Sequence, residues 1–253
     1  MATVNAPPEG GEDRVFGVHA VASLLAEDSP RVRALWVQSG LRSERIGALI
    51  DQAKRAGIRV ESHPREQLSA RAEGSHQGVL AFCHAMALAD EHELERRWSE
   101  FTQPLLLVLD GVLDPRNLGA CLRSAEAAGV DAVLLPKRRS APVSAVARKV
   151  ASGAAERLFI VEVSNLARRL EWLKKQGVWL IGALGEASVG YASVDLTVPT
   201  ALVLGGEEQG LRKLTRQACD YLVSIPMHGK VSSLNVSVAA GILLFEALRQ
   251  REG

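Results

Sequence analysis

Three stretches of this chain combine glycines that leave the main chain bare with side chains able to orient an oxygen or steer a proton. The first is Leu109-Asp110-Gly111-Val112-Leu113-Asp114-Pro115-Arg116-Asn117-Leu118-Gly119-Ala120-Cys121-Leu122-Arg123-Ser124. It leaves an apolar run through a Gly/Asp/Pro turn and enters a helical pattern, with Asn117 where a helix N-cap belongs. Arg123 follows on a helix face about 120° away. The second is Leu204-Gly205-Gly206-Glu207-Glu208-Gln209-Gly210-Leu211. Gly205 and Gly206 let a ligand approach the backbone, and Gly210 can take dihedrals closed to other residues. The third is Ile225-Pro226-Met227-His228-Gly229-Lys230-Val231-Ser232-Ser233-Leu234-Asn235-Val236-Ser237. Ser232 or Ser233 can cap the apolar helix that follows, which puts Asn235 in its first turn. So much main-chain polarity beside so apolar a helix suits a pocket that pairs backbone groups with a ligand. Taken singly, each stretch also has a plain structural account: a cap, a surface arginine, a tight turn.

The elements that must position these stretches follow from hydrophobic periodicity. Residues 1–13 read as a loose tail. Residues 14–84 read as a compact αβαβαβ unit: helix 15–27, strand 32–37, helix 43–56, strand 58–61, a helix from Pro64 and a closing strand 78–83. Residues 85–103 form a linker whose polar, charged core, 89–103, need not pack against either side. Residues 104–253 alternate apolar runs (105–109, 132–135, 158–161, 178–181, 201–204, 221–225) with helical patterns (117–128, 143–151, 165–176, 211–218, 234–249). Strands apolar on both faces that alternate with helices predict a parallel sheet covered on both sides. Ligands then bind in loops leaving the carboxyl ends of the strands. Each of the three stretches is such a loop.

Composition narrows the chemistry. The chain has 253 residues, 47% hydrophobic and 23% charged, enough for a large core. Its net charge of +1 is unevenly spread. Residues 14–84 hold ten basic and seven acidic side chains, and 101–253 hold eighteen and fourteen, so both main segments are basic. The stretch 136–149 carries Lys137, Arg138, Arg139, Arg148 and Lys149 without an acid, a local attractor for phosphates. The three cysteines are widely spaced and unpaired in pattern, and no apolar run or signal-like start directs the chain to a membrane, so a reducing cytoplasm is expected. Six histidines lack metal-ligand spacing, so no metal is expected. The dinucleotide, P-loop and G-x-S-x-G fingerprints are absent.

In order and content the three stretches resemble the motifs of the SpoU (TrmH-type) RNA ribose 2′-O-methyltransferases, over residues 105–250. The N-terminal unit resembles the ribosomal-protein L30e-like RNA-binding domain of one branch. With F-G-V-H-A-V at 16–21 and G-S-H-Q-G-V at 74–79, the layout is nearest the bacterial branch acting on 23S rRNA. The resemblance implies a knotted SPOUT-type α/β domain, its parallel sheet threaded into a trefoil knot, behind the small L30e-like α/β domain. It implies S-adenosylmethionine held by main-chain groups of Gly205, Ile225 and Leu234, with no metal. It implies that Asn117, Arg123, Glu207, Ser233 and Asn235 are the active-site side chains, and that the substrate is a guanosine ribose 2′-hydroxyl in the peptidyl-transferase region of 23S rRNA or its precursor particle. It also implies a homodimer paired through the knotted domain. Arg123 is the family's proposed base, but a guanidinium is a poor proton acceptor, so holding a phosphate and orienting the oxygen suit it better. A tRNA ribose methyltransferase, a resistance methylase and a catalytically silent RNA-binding factor stay open alternatives.

Overall fold

A computed structural model describes residues 12–253 other than Glu73 and Glu208. The chain divides into two compact units, Met1–Ala87 and Leu88–Gly253.

In the first unit, β1 (Glu12–Phe16), α1 (Val18–Glu27), β2 (Val32–Gln38), α2 (Glu44–Arg55), β3 (Arg59–His63), α3 (Arg65–Ser69) and β4 (Val79–His84) follow in order. The sheet order is β1-β4-β2-β3, with β4 antiparallel to β1 and β2, and β2 parallel to β3. The apolar stripes of α1 (Val21, Leu24, Leu25) and α2 (Ile46, Leu49, Ala53) close over Leu35, Val37, Val79 and Ala81, which share one sheet face. The helix expected over 15–27 begins three residues late. Val15 and Phe16 instead end β1, and Gly17, at φ +95°, makes the turn that separates strand from helix. Of the tail expected over 1–13, residues 1–11 lie outside the described residues, while Glu12 and Asp13 pair with β4. His76 is buried and accepts from the Gly78 amide at 3.0 Å, with its other ring nitrogen 3.1 Å from Ser69 Oγ. In the G-S-H-Q-G-V string, His76 thus ties α3 to the start of β4.

The second unit opens with α4 (Glu91–Arg97), where the sequence predicts a linker that need not pack against either side. Leu94 of α4 is fully buried in the core, Trp98 packs edge-on to Trp172 at 4.9 Å, and Arg169 pairs with Glu95 at 2.9 Å. One apolar face three to four residues long is enough to anchor a helix that is charged elsewhere. Beyond it lie β5 (Leu105–Asp110), α5 (Pro115–Ala127), β6 (Ala132–Pro136), α6 (Ala145–Ala151), α7 (Ala154–Arg157), β7 (Ile160–Val163), α8 (Leu166–Lys175), β8 (Trp179–Ala183), β9 (Val189–Gly190), β10 (Thr200–Gly205), α9 (Lys213–Ala218), β11 (Tyr221–Ser224) and α10 (Val236–Glu252). The short α7 and β9 have no counterpart in the periodicity.

The seven strands run parallel in the order β7-β6-β5-β10-β8-β11-β9. Leu106, Val108, Ala132, Leu134, Ala201 and Val203 share the core with Leu166, Leu170 and Leu173 of α8. On α5, a side chain at Gly119 would place its Cβ 2.3 Å from the Ala147 carbonyl of α6, so glycine sets how closely those helices cross. The strand order places the ends of β5 and β10 side by side, with β11 two places from β10. Their three outgoing loops meet at one end of the sheet.

Candidate active site

Asp114, not Asn117, caps α5: its Oδ1 accepts from the Arg116 amide at 2.8 Å, and Pro115 takes the first helical position. Asn117 therefore lies in the first turn with its side chain free for other work. Its Nδ2 donates to Glu207 Oε1 of the second loop, and its Oδ1 accepts from Asn235 Nδ2 of the third at 3.0 Å. Asn235, in turn, is the N-cap of α10, in place of the expected Ser232 or Ser233; its Oδ1 accepts from the Ser237 amide at 2.8 Å and the Ser237 hydroxyl at 2.6 Å. Glu207–Asn117–Asn235 is thus one hydrogen-bonded chain across all three loops.

The second loop is a tight turn closed by the Gly210 amide donating to the Gly206 carbonyl at 2.9 Å. A Cβ at Gly205 would sit 2.0 Å from the Gly210 carbonyl carbon, and one at Gly206 would sit 2.2 Å from the Gly111 carbonyl oxygen. Only bare backbone fits there, and Gly210 has φ +59°. Against this turn lies a cavity of about 180 Å³ whose walls include Gly205, Leu204, Ile225, Met227, Leu234 and Ala239. Ser232 and Ser233 also line it, with Leu184 and Gly185 from the loop after β8, which the sequence did not single out. A wall of apolar side chains and glycine backbone fits the adenosyl and methionyl parts of S-adenosylmethionine, whose polar edges would pair with main-chain groups.

Seven of the eight expected residues gather here: Gly205, Ile225, Leu234 and Ser233 line the cavity with Glu207, while Asn117 and Asn235 join it through the network. Arg123 does not join them. It is exposed on α5, and no hydrogen bond or ion pair among the described residues involves it. Asp110 is a residue that sequence reasoning passed over. At the end of β5, with its side chain fully buried, its Oδ2 accepts from the Arg212 amide at 3.0 Å, and its Oδ1 forms an ion pair with the Arg212 guanidinium at 3.2 Å. That bond joins the first loop to the start of α9; its signal was an acid ending an otherwise apolar strand. Cys121 lies beneath the site, and burial, reinforced by the nearby Glu207 charge, pushes its thiol up to about 12. The basic stretch 136–149 divides. Lys137, Arg138 and Arg139 are exposed, but Arg148 is fully buried and paired with Glu156 at 2.8 Å, a structural ion pair rather than a phosphate ligand.

Comparison with known proteins agrees with this geometry. Residues 104–245 match the SpoU rRNA Methylase family, and residues 14–88 match the RNA 2'-O ribose methyltransferase substrate binding family. The chain belongs to the SpoU rRNA methylase family, in the group whose methylase domain follows a substrate-binding domain. It is 48% identical over 241 residues, 95% of this chain and 98% of the relative, to the 23S rRNA (guanosine-2'-O-)-methyltransferase RlmB of Shewanella oneidensis. To the protein of that name from Pseudomonas aeruginosa it is 50% identical over 240 residues, 94% of this chain and 97% of the relative. The crystal structure of the SpoU methyltransferase AviRb from Streptomyces viridochromogenes, in complex with the cofactor AdoMet, superposes with a TM-score of 0.80 at 26% identity, covering 96% of this chain and 91% of that one.

Proposed function

We propose that this chain methylates the ribose 2′-hydroxyl of a guanosine in 23S rRNA, with S-adenosylmethionine as donor, in the cytoplasm and as a homodimer. The observation that carries the reading is the Glu207–Asn117–Asn235 chain beside a glycine-walled cavity, which ties the three loops into one site. The near full-length likeness to proteins named for that reaction supports the choice of RNA.

S-adenosylmethionine supplies a methyl group on a sulfonium that is already a good leaving group. The protein's tasks are to hold the acceptor oxygen in line at about 3 to 3.5 Å and to ease loss of its proton. Main-chain groups at Gly205, Ile225 and Leu234 hold the donor, and Leu204 and Ala239 exclude water. Asn117, fixed by its two neighbours, presents a rigid edge to the ribose. Ser233 lies on the cavity wall where it can orient the same oxygen. Glu207 and Asn235 keep Asn117 in place. Arg123, exposed on α5 and outside that network, acts by holding a phosphate of the bound RNA, which positions the acceptor oxygen indirectly, and does not itself remove the proton.

A second copy would cover α10, where Val238 and Phe245, seven residues apart on one face, are each 49% exposed. Among the described residues, no helix is long and apolar enough to cross a membrane.

The test has two parts. Calorimetry with S-adenosylmethionine is expected to show binding, and incubation with unmodified 23S rRNA followed by 2′-O-methyl mapping is expected to show one new guanosine methylation. Binding without methylation would favour a silent RNA-binding factor, and methylation of tRNA alone would transfer the reading to that substrate. Arg123→Ala with intact donor binding is expected to lose most of the rate; a rate near wild type would remove Arg123 from the site.

A further inference from the structure

The cofactor cavity has a neighbour. A second cavity of about 620 Å³ adjoins it, and Gly206, Glu207 and Gly210 are walls of both. Asn117 lines the second cavity, so the side chain that joins the three loops faces it directly. Two adjoining pockets with a shared wall are what a two-substrate transfer needs, one for the donor and one for the acceptor.

The lining shows what kind of acceptor fits. Its walls include both acids, Asp114 and Glu207, and bases, Arg139 and Arg212. A free polyanion would be repelled by those carboxylates. A guanine offers the carboxylates its N1 and N2 donors and leaves an anionic phosphodiester for the cations, and single-stranded RNA is read along such edges once a base is splayed out.

The two arginines are not equivalent. Arg212 is committed to the buried Asp110 carboxylate and also donates Nη2 to the Arg139 carbonyl at 3.2 Å. Arg139 is exposed, and none of the hydrogen bonds or ion pairs among the described residues uses its guanidinium. Its backbone lies at φ +59°, a left-handed conformation unusual for arginine, and the bond from Arg212 holds it there. An unused cation lining a cavity, on a backbone held in an uncommon conformation, makes Arg139 the candidate phosphate ligand here. Lys137 and Arg138 are exposed beside it and extend the positive rim.

We propose that this second cavity seats the acceptor nucleotide and that Arg139 binds the phosphodiester beside it. This rests on the methyl-transfer reading above, and the experiment separates the two. The full chain, Arg139→Ala, Arg139→Lys and Gln209→Trp are compared for S-adenosylmethionine binding by calorimetry and for methylation of unmodified 23S rRNA at several salt concentrations. Gln209 lines the second cavity and not the first, so an indole there fills the acceptor seat only. The expected result is donor affinity within about twofold of wild type in every variant. Arg139→Ala should raise KM for RNA about 10- to 100-fold, with the loss in KM rather than kcat and a log–log salt slope shallower by about 1. Arg139→Lys should recover part of the KM, and Gln209→Trp should abolish methylation. An unchanged KM and salt slope in Arg139→Ala would overturn the phosphate role, and full activity in Gln209→Trp would overturn the acceptor seat. A wild-type chain that binds no donor would instead overturn the underlying reading. Thermal melting of each variant guards against a loss that is only misfolding, and Arg139→Lys keeps the test decisive if the alanine variant melts early.

Discussion

Asn117 makes both of its side-chain hydrogen bonds to residues about a hundred positions away in sequence, Glu207 and Asn235. Removing it therefore loosens three loops together. Asn117→Ala is expected to slow single-turnover methylation by roughly 10²-fold, the usual cost of losing a preorganised polar group at a reacting centre. It is expected to lower stability by only about 1–2 kcal/mol, since the site is partly exposed. Gly205→Ala acts by steric exclusion: its methyl group would enter the Gly210 backbone, so donor binding is expected to vanish in calorimetry while the sheet survives with a lowered melting temperature. The cysteines give a chemical probe of the core. Burial pushes both Cys121 and Cys219 up to about 12, well above the usual thiol near 8.5, and the thiolate is the reactive form. At pH 8 neither is expected to be alkylated by iodoacetamide in the folded protein, and both should react once denaturant is added; mass spectrometry reads the difference. Rapid labelling of the native chain would contradict the packing around α5 and α9.

At the scale of elements, the last helix is held by its final turn. Arg251 donates to four carbonyls: Leu196 at 2.9 Å, Gln103 at 2.9 Å, Pro104 at 3.2 Å and Val198 at 2.9 Å. It thereby fastens the end of α10 to the segments that enter β5 and β10. Arg251→Ala is expected to cost about 2–4 kcal/mol, which for a unit of this size lowers the melting temperature by roughly 5–15 °C. Lysine, a single point donor, should recover less than half. The same scale shows what the sequence could and could not disclose. Buried parallel strands are unbroken apolar runs, so β5 and β10 were legible directly, and with them the loops that carry the site. Helix starts were less so. Asp114 and Asn117 are both good caps, as are Ser233 and Asn235, and propensity cannot rank neighbours of equal quality. Pro115 favours Asp114, because proline belongs at the first helical position. The apolar anchoring of α4 rests chiefly on Leu94 and Trp98 within a charged segment, too sparse a pattern to outweigh its polarity. That Arg148 is buried follows from its partner Glu156, which only tertiary structure brings to it.

For the whole molecule, each unit has its own core. We expect residues 88–253 alone to bind S-adenosylmethionine as tightly as the full chain while losing RNA affinity and some of its salt dependence, measurable by filter binding across a salt series. Equal RNA affinity would deny the first unit a part in RNA capture. The early anchoring of the connecting segment has a further consequence. The Ala89 amide donates to the Ile160 carbonyl at 3.0 Å, so only residues 85–88 separate the end of β4 from the second unit's hydrogen-bonded frame. Stretched fully, that leash measures about 17 Å from His84 to Ala89. If the first unit captures RNA, so short a leash would present it to the second at an effective concentration in the millimolar range, far above what free encounter provides. Splicing twenty Gly/Ser residues after Ala87 should dilute that advantage, lowering kcat/KM several-fold on long RNA and leaving turnover at saturation untouched.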